Sequence, residues 1–483
     1  MAISLKEQYG INEFCGYTSH RDSYNYLKSQ KDLVYNNLLL DEEIYSRYKT
    51  EKLDLDYVNR IEKEYGIPNL WPYISIDRVL MFNQLVREYP HKSLKYTHEE
   101  LIRIFQVYAK AVIEMLEKEK PDFIFINIIS SLGSTLIYHI AKKKGIKTYI
   151  LATASTKTRY LLSEEYDKLT DANKLFEEYS SGNPKTNDAE QFLNEFRQKP
   201  SSYSNAVNNV LLKQTSRLSQ LQFLKPRNLW RSIGWYLKVL SSYKKQQEFK
   251  DYTYEMHPWY YIVDRIKRKV RNTIGVSDLY DEFKPEEPFA FYPLHHEPEI
   301  ALLLYAPYFT DQLNLIRHIA RSLPLEYKLY VKEHPAMVSF RPRKYYKELK
   351  KIPNVKLIDP SINSFRIIPH TKLITTITGS VGWEATLLKK PVIYFGDYYF
   401  NHLPAIKKCE NIKDLPYLVE EQLKNFEHNE KELLNFLQAI IDKSVSVDLV
   451  NLWEDEWDMN KKREGMQPLT DLLAKKLGLT KIV

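Results

Sequence analysis

KLITTITGSVGWEATLLKKPVIYF, residues 372–395, is the stretch from which the fold of this 483-residue chain is read. KLITTIT is short, apolar and β-branched, the texture of a parallel strand buried on both faces. Thr378, Gly379 and Ser380 interrupt it, a helix follows from VGWEATLL, and PVIYF is a second apolar run. Strand, tight turn, helix and strand make the repeating unit of a doubly wound sheet.

The pattern extends outward from there. FAFYPL reads as a strand, DQLNLIRHIARSL as an amphipathic helix, YKLYVKEH as a strand, YYKELKKI as a helix and VKLID as a strand. KPEEP, a polar linker with two prolines, sets a domain boundary near Lys284. Further upstream, Thr97 and Glu100 form a capping box that opens a helix to Lys120. PDFIFINII is then a strand, LIYHIAKKK a helix ended by Gly145, and KTYILAT a second strand. These imply an α/β chain with two Rossmann-like domains. The N-terminal one spans 1–283, mostly helical over its first 120 or so residues, and carries a helical insertion over about 160–280 that Ser181, Gly182, Asn183 and Pro184 break early. The C-terminal one spans 284–404, and 405–483 is expected to be a helical, charged tail.

Composition bounds the function. The chain is 43% hydrophobic and 27% charged, enough core-forming residues to exclude wholesale disorder. Cys15 and Cys409 are too few and too distant for a disulfide framework or a metal cluster, which fits a reducing compartment. MAISLKEQYG lacks the basic start and apolar run of a secretory leader, and no apolar run reaches the roughly 20 residues of a membrane span. The expectation is a cytoplasmic protein whose contact with a membrane, if any, is peripheral on its inner face. Net charge is +8, and residues 224–275 hold twelve Lys or Arg against four Asp or Glu, so the rest of the chain is near neutral. In that segment Trp230, Trp235, Tyr236, Trp259, Tyr260 and Tyr261 interleave with the basic residues. Two readings stand: a face lying on an anionic membrane, or a solvated helical face covering the core. No nucleic-acid motif is present, so nucleic acid is not an expected partner.

Ligands of open parallel sheets bind beyond the carboxyl ends of the strands. Three loops there carry unusual residues. Lys332-Glu333-His334-Pro335 holds a histidine at a strand end, where Pro335 stops the strand. That histidine is placed to donate to a phosphate oxygen or to protonate a leaving group, or else it is satisfied by local backbone. Thr378-Gly379-Ser380 precedes a helix: Gly379 permits close approach, Ser380 is expected to cap, and the helix N-terminus favours an anion. Glu384, one turn on, is a candidate for ribose hydroxyls. The plain alternative is an ordinary strand-helix turn. His295, His296, Glu297 and Glu299 invite a metal reading, but adjacent residues on extended chain point apart and the spacing is not that of zinc sites, so no metal is expected. His295 or Glu297 is expected instead to line an interdomain cleft.

Taken in order, FYPLHHEPE, LYVKEHP and TITGSVGWEATLLKKPVIYFGD resemble the capsule polysaccharide biosynthesis family, which includes the retaining β-Kdo transferases of bacterial capsules. The histidine-proline pair followed by a serine-bearing turn is also similar to bacterial sialyltransferases of the GT-B type. The resemblance covers about residues 289–404 and implies a GT-B glycosyltransferase acting on a surface or capsular polysaccharide or glycolipid. It implies that His334, Pro335, Gly379, Ser380 and Glu384 hold the phosphate and ribose of a CMP-activated, Kdo-like or other nonulosonic sugar, with His295, Lys332 and Thr378 beside them. No further cofactor is implied, because release of a monophosphate does not oblige a divalent metal. In the N-terminal half, Ser131, Gly133 and Arg159 fall where acceptor or sugar-carboxylate contacts are expected. Glu164, Glu165 and Asp167 are the candidate catalytic carboxylates, with Glu165 and Asp167 foremost beside His334. A UDP-N-acetylglucosamine 2-epimerase, a CDP-alcohol-using transferase of teichoic-acid type and a non-catalytic, membrane-docked assembly protein are the rival readings.

Overall fold

A computed structural model describes residues 1–65, 69–82, 95–154, 158–201, 225–252 and 257–482. The second half of the chain is built on six parallel strands: β6 (Phe289–Pro293), β7 (Lys328–Lys332), β8 (Val355–Ile358), β9 (Leu373–Thr376), β10 (Val392–Tyr394) and β11 (Ile406–Lys408). Their spatial order is β11-β10-β9-β6-β7-β8, the doubly wound arrangement in which the chain reverses direction between the first and fourth strands. Phe289, Ala290, Phe291 and Tyr292 are all fully buried because helices cover both faces. Gln312–Ser322 and Leu415–Lys424 pack on one side through Leu315, Ile316, Ile319 and Val419. Ser380–Leu387 and Glu430–Lys443 pack on the other through Trp383, Leu387, Phe436 and Ile440. Parallel strands enclosed in this way are uniformly apolar, which is why the sequence displays them plainly.

The first half holds two smaller sheets. β1 (Phe14–Thr18) pairs in parallel with β2 (Tyr35–Leu40). β3 (Phe123–Ile126) pairs in parallel with β4 (Lys147–Thr153), and β5 (Arg159–Ser163) runs antiparallel to β4. The helix His98–Glu119 opens on the reciprocal Thr97/Glu100 capping box expected from the sequence. The α/β class with parallel sheets in both halves is as expected. The mostly helical reading of the first 120 residues omits β1 and β2, whose half-buried residues show no clean alternation.

The expected separate tail after residue 404 is corrected. Ile406–Lys408 completes the large sheet, and β12 (Val445–Ser446) crosses back to pair antiparallel with β5. Met459–Leu477 then packs on Ala2–Tyr9, where Leu469, Leu473 and Ala474 meet Leu5 and Tyr9. The stretch read as one insertion also divides. β5 lies at its start, and Thr170–Ser181 and Asn187–Gln198 pack on Glu430–Lys443 of the second half, with the Phe176 and Phe436 rings edge to face at 5.2 Å. Only Pro226–Phe249 and Trp259–Ile274 stand outside as a helical pair without a buried residue among those described.

Trp383 is 2% exposed and stacks on Phe400 at 4.1 Å between the large sheet and its covering helices. Trp383→Ala is expected to cost about 3–5 kcal/mol of unfolding free energy, read from the midpoint of urea denaturation at unchanged slope.

Candidate functional site

The strand order brings the loop after β6 beside the loops after β7 and β9, at the reversal point of the sheet. A cavity of about 270 Å³ opens there, lined by His295, Lys332, His334, Thr378, Ser380 and Glu384 among others. The loop 360–365, after β8, forms its remaining wall and was not anticipated from sequence.

Each histidine has one nitrogen committed. The Ala336 N–H donates to His334 Nδ1 at 3.2 Å, so a neutral ring carries its proton on Nε2. Burial, then the charges of Arg341 and Lys332, pull His334 down to about 4, so at neutral pH it is an uncharged hydrogen-bond donor. His295 receives the Thr378 N–H on Nε2 at 3.2 Å, and its Nδ1 is buried without a partner among the described residues. Burial first, then His334, takes it to about 3. His295 therefore ties the β6 loop to the β9 loop. Gly379 is required beside it, since a Cβ there would sit 2.8 Å from Thr376 Oγ1 and 3.2 Å from the His295 ring.

Lys332 is 6% exposed and donates to the Ile362 carbonyl at 3.0 Å. Burial draws it down to about 8 against the pull of Glu384 and Asp359. Thr378 Oγ1 donates to the Ala301 carbonyl at 2.7 Å, fixing the turn. The expected serine cap is corrected: Gly379, with φ −70° and ψ 145°, occupies the N-cap, and Ser380 is the first helical residue. Its hydroxyl bonds Glu384 Oε1 at 3.3 Å instead. Pro335 opens a short 3-10 turn over the cavity.

Beneath the loops lies a network that sequence reasoning missed. Arg341, 1% exposed, pairs with Glu333, lies 3.2 Å from Glu297 and donates to the His295 carbonyl at 2.8 Å. Glu333 also accepts from the His334 N–H at 2.6 Å and from the Tyr346 hydroxyl at 2.7 Å. Gln312 bonds Glu297 and accepts the His295 N–H at 2.7 Å. Glu297, expected to line an interdomain cleft as a substrate contact, is thus turned inward as a counter-ion and does not line this cavity. The missed signal was Glu333 itself: an acid at the end of a buried strand needs a buried cation.

The N-terminal candidates are not gathered at this cavity. Ser131 caps the helix Leu132–Lys143, and Gly133 packs under the Tyr17 hydroxyl. Ser131 does line a second cavity, of about 550 Å³, between β1 and β3. Arg159 lies in β5 opposite Ser446, its guanidinium 3.5 Å from the Ser444 hydroxyl. Glu164 is exposed. Glu165 is held by Lys142 and by the Tyr138 hydroxyl, at 2.9 Å from the latter, and stays ionised below its usual range. Asp167 differs: burial, with Asp397 and Glu165 nearby, pushes its carboxyl up. Tyr166 beside it meets Tyr305 of the second half at 5.9 Å.

A neutral histidine, a buried lysine and a helix N-terminus converge at the reversal point of a doubly wound α/β sheet, the place where such sheets hold their ligands. Residues 183–404 match the family described as capsule polysaccharide biosynthesis protein, and they include every residue of the cavity. Protein FixF of Sinorhizobium fredii is 30% identical over 134 residues, a match spanning 26% of this chain and 28% of FixF. Among solved structures, the β-Kdo 2,7 transferase KpsC of Thermosulfurimonas dismutans aligns at 12% identity over 91% of this chain and 94% of that one, with a TM-score of 0.32. The UDP-GlcNAc 2-epimerase of Methanocaldococcus jannaschii aligns at 13% identity over 89% and 99%, with a TM-score of 0.25.

Arg341→Leu leaves two buried carboxylates without their cation and is expected to cost about 3–5 kcal/mol in urea denaturation. Because His334 and His295 are held below the unfolded value near 6.5, the unfolded chain binds more protons between about pH 6.5 and about pH 4. Stability is therefore expected to be full above that window and to fall as pH drops through it. His334→Asn is expected to flatten the slope by about one proton in denaturation midpoints measured across pH.

Proposed function

We propose that the chain is a GT-B glycosyltransferase that moves a sugar from a CMP-linked donor, of Kdo-like or other nonulosonic type, to a growing surface glycan or glycolipid, without needing a bound metal. The observation that carries this reading is the His334 tautomer: its Nδ1 is satisfied by the Ala336 N–H, leaving Nε2–H for a ligand oxygen in a cavity that also holds Lys332 and the helix start at Ser380. The family matched over residues 183–404 supports the polysaccharide context.

In the proposed reaction the acceptor hydroxyl attacks the anomeric carbon of the donor while the bond from that carbon to the phosphate oxygen breaks. The electron pair leaves with the phosphate as CMP. His334 Nε2–H and the Lys332 ammonium stabilise the charge gathering on the leaving oxygens, which is electrostatic catalysis by groups already in place. Glu384 and Ser380 take the ribose hydroxyls. The acceptor proton passes to a carboxylate; Asp167, which does not line the cavity, is the candidate from the first half, since the oxygens of Glu165 are already engaged by Lys142 and Tyr138. On this reading the reaction takes place in the cytoplasm, where nucleotide sugars are made.

The test is calorimetry of CMP, CDP, UDP and UDP-N-acetylglucosamine against wild type and His334→Ala. CMP is expected to bind, and His334→Ala to weaken it about ten- to a hundredfold, the value of one hydrogen bond to a charged group. UDP binding in place of CMP moves the reading to an epimerase or a UDP-sugar transferase. With a donor in hand, Asp167→Asn is expected to lower kcat while leaving CMP affinity unchanged.

A further inference from the structure

The two helices Pro226–Phe249 and Trp259–Ile274 carry apolar stripes that stay largely exposed among the described residues. Leu229, Ile233 and Leu237 recur at four-residue steps on the first and are 50%, 42% and 59% exposed. Ile262, Ile266 and Val270 recur likewise on the second, with Ile266 54% and Val270 50% exposed. Such an amphipathic spacing normally marks a face packed on a core, yet Trp259–Ile274 has no buried residue at all. Leu229, Ile233 and Leu237 meet Ile262 and Ile266 along a groove of about 700 Å³ that Arg265, Arg268 and Lys269 also line.

Charge says what the face is for. Residues 224–275 carry twelve cations against four acids in a chain that is otherwise near neutral. Two of those acids are already engaged, Asp251 by Arg21 and Asp264 by Arg268. Arg265 lies over the Trp235 ring at 3.6 Å and shares the groove lining with Arg268 and Lys269, so three cationic side chains are gathered there. A second copy of the same face would oppose cations with cations. No described helix is long and apolar enough to cross a membrane, so a lipid contact here lies along the surface.

We propose that this helical pair is a docking face for an anionic lipid bilayer, with Leu229, Ile233, Ile266 and Val270 seated at the headgroup boundary and the basic residues among the lipid phosphates. The face is mechanically joined to the candidate donor site. Arg271 bonds the Phe340 carbonyl, Arg268 lies 4.9 Å over the Phe340 ring, and Pro335 borders both the groove and the donor cavity. A docked molecule therefore holds the His334 loop at the membrane surface, where a lipid-linked acceptor would reach it. That last consequence rests on the transferase reading, whereas the docking does not.

The experiment is sedimentation of the full chain with phosphatidylcholine vesicles, with and without phosphatidylglycerol, across a salt series. Binding is expected only with phosphatidylglycerol and is expected to weaken as salt shortens the range of the charges. The exposed pair Ile266→Glu with Val270→Glu is expected to reduce it about tenfold or more while thermal melting and CMP affinity stay unchanged. Equal binding to neutral vesicles, no binding by wild type, or full binding by the double variant overturns the proposal. So does a wild-type dimer in sedimentation velocity that the double variant dissolves. Vesicle binding by a chain that binds no nucleotide upholds the docking and removes the transferase reading instead.

Discussion

A single guanidinium, withdrawn from water, holds the second half of the molecule in register. Arg341 sits under the sheet's reversal point and bonds Glu333 at the end of β7, Glu297 after β6 and the His295 carbonyl. Taking a cation out of solvent is costly, and only a full set of partners offsets it. Those partners belong to two different loops, so satisfying the charge fixes the loops against each other. His295, positioned this way, then receives the Thr378 N–H and draws in the third loop. The geometry of the cavity is thus set from beneath, through Arg341 and Glu297, neither of which lines it. His334, on the same ladder of bonds, inherits its orientation from Glu333 and its tautomer from Ala336.

The two halves are fastened along a seam away from that cavity. Arg197 reaches from the first half to Glu430 and, at 2.8 Å, to the Leu387 carbonyl. Thr153 and Tyr399 share a hydrogen bond of 3.2 Å, and Tyr166 leans on Tyr305. Tyrosine, the commonest aromatic in this chain at 37, suits such a seam because its ring packs as an apolar body while its hydroxyl still finds a partner.

What the sequence disclosed follows from what each element had to satisfy alone. β6, β7, β9 and β10 are enclosed on both faces, so each announces itself as a continuous apolar run. β1 and β2 are partly solvated and mixed in composition, and β12 is only two residues long, too short for any period. The cavity loops were legible because His334-Pro335 and Thr378-Gly379-Ser380 lie at strand ends, where backbone rules speak locally. Arg341 lies in an exposed-looking RPR run, and its burial is a product of tertiary folding alone. For Ser131 and Gly133 the structure adds local roles, a helix cap and a close approach to the Tyr17 hydroxyl, which in one dimension look the same as ligand contacts.

The return of β12 and of Met459–Leu477 to the first half has a consequence for biogenesis. On the ribosome the large sheet, a nearly continuous run from Phe289 to Lys443, has all its strands as soon as that run has emerged. The first half does not. β5 keeps an unpaired edge, and Leu5 and Tyr9 lack their cover, until Val445–Ser446 and the last helix are translated. The strands of the large sheet are therefore all present before residues 445–477 are made, whereas Leu5 and Tyr9 are covered only once Met459–Leu477 exists.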